Sequence, residues 1–122
     1  MNSTTPGPGA PGSLRRPLRA RISDGRTFEN PSIGLLRDLV YALGPGNPYL
    51  VIDRLDAPDG DFYAQTLHRP DGSWIVEYRD GGRNRHYQAA APGPSAVHQV
   101  LAAWALGLPD WRGRLTWQPV FQ

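Results

Sequence analysis

Two residues near the middle of the chain carry the side-chain types of acid–base chemistry: Glu77 and His86, within "SWIVEYRDGGRNRHYQ", Ser73 to Gln88. Glu77 sits in a run of strand-like alternation, and His86 opens a second such run beyond a glycine turn. A two-residue Gly81-Gly82 loop places Glu77 directly opposite His86. An Asp80-Gly81 loop pairs Glu77 with Asn84 instead and keeps the faces. A three-residue loop with a bulge changes the faces too. In either two-residue hairpin Trp74, Val76, Tyr78, Tyr87 and Ala89 share the apolar face. Ile75, Glu77, Arg79, Asn84, His86 and Gln88 share the other, so Glu77 and His86 are expected to point away from the core. A Glu beside a His on such a face is ordinarily a cross-strand pair worth roughly 0.2–1 kcal/mol. Catalysis would require a pocket that desolvates the carboxylate or tunes the imidazole.

Other groupings point to binding more than to reaction. "DRLDAPDGD" holds Asp53, Asp56, Asp59 and Asp61, but it lacks the EF-hand spacing and its twelfth-position Glu, so it reads as an acidic loop that could dock on a basic partner. Arg15, Arg16, Arg19 and Arg21 could touch phosphates in a salt-sensitive, unspecific way. No helix-turn-helix, zinc-finger or RNP-like pattern accompanies them. His68, His86 and His98 lack metal-ligand spacing and the chain has no Cys, so no metal or other cofactor is called for. His68 and His86 could approach each other in the sheet. No Gly-rich phosphate loop follows a strand, and no Ser occupies a nucleophile elbow. Trp111, after Pro109-Asp110, suits either a core position or an exposed anchor for a partner.

The elements that must position these residues are short. Residues 1–17 are rich in Pro, Gly and Arg and read as a disordered tail before one domain over 18–122. Alternation from Leu18 to Ser23 suggests a first, edge strand. "NPSIGLLRDLVYALG" predicts a helix with Asn30 as cap and Pro31 at its first position, stopped by Gly44-Pro45. A strand over Tyr49–Arg54 precedes three meander strands, "FYAQTLHR", "SWIVEYR" and "RHYQAA". A helix over Ser95–Leu106 buries Val97, Val100, Leu101 and Trp104, and a last strand is expected near Leu115–Val120. This is an α+β two-layer sandwich: a mostly antiparallel sheet of five to six strands with two helices on one face.

Composition bounds the remainder. The 122 residues include 13 basic side chains, every one Arg, against 11 Asp and Glu, with 14 Gly and 13 Pro. Such a bias fits a GC-rich bacterial coding sequence. Four of the Arg lie within residues 1–21, where no acid occurs, leaving a mildly acidic body behind a basic tail. The N-terminus has no apolar stretch of the secretory kind, and the longest apolar run, Val100 to Leu108, is far short of the ~20 residues of a membrane span. A cytoplasmic protein is the expectation.

The order of these features, "VEYRDGG", "RHYQ", an Ala-rich helix with Trp104, "LPDW" and "LTWQP", resembles the Imm1-type immunity proteins of bacterial polymorphic toxin systems over about residues 49–120. Similar small domains are common in actinobacteria. The resemblance implies a cytoplasmic α+β protein without catalytic activity that neutralises a cognate toxin, often one with a nucleic-acid deaminase domain. Glu77, Tyr78 and Trp117 would be framework or toxin-facing residues. The basic extension through Arg21 falls outside it.

Three functions follow. The leading one is a non-enzymatic, immunity-like binding protein that occludes a partner protein with Asp53, Asp56, Asp59, Asp61, Glu77, Arg79, His86 and Trp111. The alternative is a small nucleic-acid-associated protein using Arg15, Arg16, Arg19 and Arg21. The third, an enzyme built on Glu77 and His86, lacks a recognisable catalytic set.

Overall fold

The computed structural model describes residues 17–57, 60–82 and 84–120. Its strands are β1 (Leu18–Ile22), β2 (Thr27–Glu29), β3 (Tyr49–Arg54), β4 (Phe62–His68), β5 (Trp74–Asp80), β6 (His86–Ala91) and β7 (Gln118–Pro119). Two helices, α1 (Ile33–Tyr41) and α2 (Pro94–Leu106), and a 3₁₀ turn at Pro109–Gly113 complete it. The strands form one antiparallel sheet in the order β2-β1-β3-β4-β5-β6-β7. The architecture is the expected α+β sandwich, with seven strands among the described residues where five to six were expected. Period-two alternation sends Leu18, Ala20, Ile22, Leu50, Ile52, Ala64, Val76 and Tyr78 into one core with Leu36, Leu39 and Val40 of α1 and Val97, Val100 and Leu101 of α2. Across that face Ala20, Ile52, Ala64 and Tyr78 stand in register, so small residues alternate with large ones beneath the helices.

Several local expectations are corrected. β1 is not an edge strand, because Arg19, Ala20 and Arg21 also pair with the three-residue β2. Asn30 does not cap α1. It takes a left-handed φ of 45° and its Oδ1 accepts from the Leu18 amide at 3.1 Å, while Ser32 caps the helix by accepting from Leu35 N–H. Ser95 lies inside α2, whose N-terminal flank is Gly93 with no side-chain cap. The last strand is only Gln118–Pro119, since Pro109–Gly113 winds into the 3₁₀ turn first. The tail assigned to residues 1–17 falls on undescribed residues except at Pro17, whose carbonyl accepts from Leu55 N–H at 2.9 Å and so belongs to the sheet's end.

Candidate functional site: the uncovered sheet face

Both helices lie on one side of the sheet, and among the described residues no helix covers its other face, which is left to the residues of opposite parity. Strand register arranges them in rows. Glu29, Arg19, Asp53, Tyr63, Arg79 and His86 stand side by side across six strands, and Thr27, Arg21, Val51, Gln65, Glu77 and Gln88 form the next row. Of the residues singled out from sequence, Arg19, Arg21, Asp53, Glu77, Arg79 and His86 meet on this surface. Tyr63, Gln65 and Val51 were missed. Their signal is parity, since each alternates with a core residue of β3 or β4.

The β5–β6 register follows neither two-residue loop. Asp80 N–H donates to the Arg85 carbonyl, and Arg79 stands opposite His86 while Glu77 stands opposite Gln88. The shift is by two, so both faces survive and the neighbours change. Glu77 and His86 become diagonal neighbours, and they still bond: a carboxylate only accepts, so His86 Nε2–H donates to Glu77 Oε1 at 2.8 Å. The expectation of an exposed pair is corrected too, because the His86 side chain is only 9% accessible and that of Glu77 21%. Tyr63 meets the His86 ring edge-on, with centroids 5.9 Å apart. Burial, followed by the Glu77 carboxylate, pushes the Tyr63 phenol above its ordinary pKa.

The remaining charges of the face are ordered. Arg21 Nε donates to Asp53 at 2.8 Å and Arg19 Nε to Glu29 at 2.7 Å. Arg79 differs. Its Nε is buried with no hydrogen-bond partner, and no carboxylate of the described residues pairs with its guanidinium. Two open depressions of about 340 and 350 Å³ share Arg21, Val51 and Gln65 as lining; Tyr63 borders the first and Glu77 the second.

Other sequence candidates disperse. Asp56 pairs with Arg54 at 3.1 Å, Asp61 contributes its carbonyl to Gly81 N–H, and Asp59, Arg15 and Arg16 lie outside the described residues. The acidic loop is therefore partly neutralised from within. Trp111 is not an anchor on the surface: it is 6% exposed in the core, edge-on to Tyr78 at 4.6 Å and to Trp117 at 5.7 Å. The 3₁₀ turn rolls its indole beneath the sheet on the helix side. His68 does not approach His86, since it pairs with Trp74 at the opposite end of β5, stacks on that indole at 3.9 Å and bonds the Leu43 carbonyl. His98 bonds the Ile33 carbonyl at the start of α1.

Chemically, the Tyr63–His86–Glu77 group is joined through one imidazole nitrogen: Glu77 Oε1 and the Tyr63 hydroxyl, 3.5 Å away, both address His86 Nε2. No group of three or more His, Cys, Asp or Glu among the described residues could hold a metal ion, and no described helix is long and apolar enough to cross a membrane. Compared with protein-family models, curated proteins and solved structures, the chain matches none.

Proposed function

We propose that this is a non-enzymatic binding protein of the immunity kind, acting in the cytoplasm, which occludes a partner protein with the uncovered face of its sheet. The observation that carries this reading is the ordered, mixed-charge surface in which Arg21–Asp53 and Glu77–His86 are already paired around Val51, Tyr63 and Gln65. Side chains fixed in advance by short bonds lose little freedom when a partner docks, and complementary charge sets its register. The resemblance of residues 49–120 to Imm1-type proteins carries the same expectation. The nucleic-acid alternative is weakened at Arg19 and Arg21, whose charges are spent on Glu29 and Asp53.

Affinity capture from the source cells with paired variants tests it. A single stoichiometric protein should bind the native chain, be lost with Gln65→Arg, and be kept by Arg37→Glu on the exposed side of α1. Capture insensitive to Gln65→Arg, or capture of nucleic acid alone, would contradict it.

A further inference from the structure

Three features of the molecule invite a ligand. The edge of β6 beside β7 and the cleft beside Leu108 and Trp111 each offer space, but no buried side-chain atom of their described lining lacks a hydrogen-bond partner. The third is Arg79, whose chemistry does demand one.

Arg79 occupies a central strand, with Tyr63 of β4 on one side and His86 of β6 on the other. A guanidinium carries five N–H donors and is always charged. Its Nε has been stripped of water and given no acceptor, and among the described residues no carboxylate pairs with the guanidinium. Folded chains seldom leave such a donor unused, because the desolvation it has undergone is not repaid by any bond. Nearby acids are committed elsewhere: Asp53 to Arg21, and Glu77 to His86. A second donor stands beside it. Since His86 Nε2 gives its proton to Glu77, the Tyr63 hydroxyl cannot donate there, and its proton is left for another acceptor. Burial keeps that phenol protonated.

We infer that Arg79 and Tyr63 form a carboxylate-binding point, which receives an Asp or Glu side chain of the protein partner. This rests on the binding reading above and reverses the partner charge suggested by the acidic loop. A guanidinium fork beside a hydroxyl matches a carboxylate in plane and in donor number. Glu77 lies two residues along the same strand, roughly 6–7 Å away, and Asp53 is in the same row, so a uniform polyanion such as a nucleic-acid backbone is repelled where a protein surface of mixed sign is not.

The test is an NMR titration of the intact protein with N-acetyl-glutamate N-methylamide, N-acetyl-arginine N-methylamide, inorganic phosphate and oligo-dT as probes. The single-carboxylate glutamate probe should move the Arg79 Nε–Hε signal and the Tyr63 ring signals. Arg79→Gln should weaken it about tenfold, and Tyr63→Phe by less. No shift with the glutamate probe, equal affinity in Arg79→Gln, or tighter binding of phosphate, oligo-dT or the arginine probe would overturn the inference. If the glutamate probe binds at Arg79 but no protein is captured from cells, the site stands and the immunity-type reading falls. A captured partner indifferent to Arg79→Gln gives the reverse.

Discussion

Glu77 and His86 are joined by a 2.8 Å hydrogen bond although they face each other only diagonally across β5 and β6. Because His86 is buried, the bond does more than an exposed cross-strand pair would. Removing the acceptor orphans an N–H that has left water, which costs about 1–3 kcal/mol. Glu77→Ala should lower stability by that amount in urea unfolding. Glu77→Gln keeps an acceptor oxygen and should lose clearly less.

Arg79 should behave in the opposite way. A half-buried, unpaired cation weakens the fold, so a neutral chain of similar length relieves a desolvation cost. Arg79→Met is expected to leave stability unchanged or raise it by about 1 kcal/mol, read as the midpoint of thermal or urea unfolding. A loss beyond 1 kcal/mol would mean the guanidinium has a structural partner after all.

Alkaline pH offers a third check. Burial raises the phenol pKa of both Tyr63 and Tyr78 above their ordinary 10.0. An acid whose folded pKa exceeds its unfolded one holds its proton more tightly when folded. Its contribution is therefore complete below pH 10 and lost as pH climbs through the folded value. Stability should fall steeply above pH 10, and Tyr63→Phe should flatten that fall when unfolding is followed from pH 9 to 11.5.

Trp111 belongs to stability. Its ring sits edge-on between Tyr78 and Trp117, with the Arg112 guanidinium 5.0 Å from its centroid. Trp111→Ala should cost about 3–5 kcal/mol, and the purified variant should show a collapsed thermal midpoint.

The faces of the sheet were legible in the sequence because alternation has a period of two. The register was not. "RDGGRNRH" contains several loops of equal local merit, and the turn actually used ends beyond Gly82. A shift by two preserved every face assignment and exchanged the neighbours of Glu77. β2 escaped notice because Thr27-Phe28-Glu29 has a single apolar residue and is a strand only by virtue of pairing with β1. Asn30 and Ser32 are both good caps locally, and tertiary demand decided between them, since the Leu18 amide needed an acceptor. Charge pairing is the least legible feature. The sequence shows acids at 53 to 61 and arginines at 19, 21 and 79, but only the rows of the sheet show which acids are already used and which arginine is not.

The most direct measurement is parallel affinity capture with the native chain, Arg79→Glu and Arg37→Glu. The account predicts one partner protein, held by the native chain and by Arg37→Glu on α1, and lost from Arg79→Glu on the uncovered sheet face. A partner retained by Arg79→Glu, or lost through Arg37→Glu instead, would contradict the assignment of that face as the binding surface.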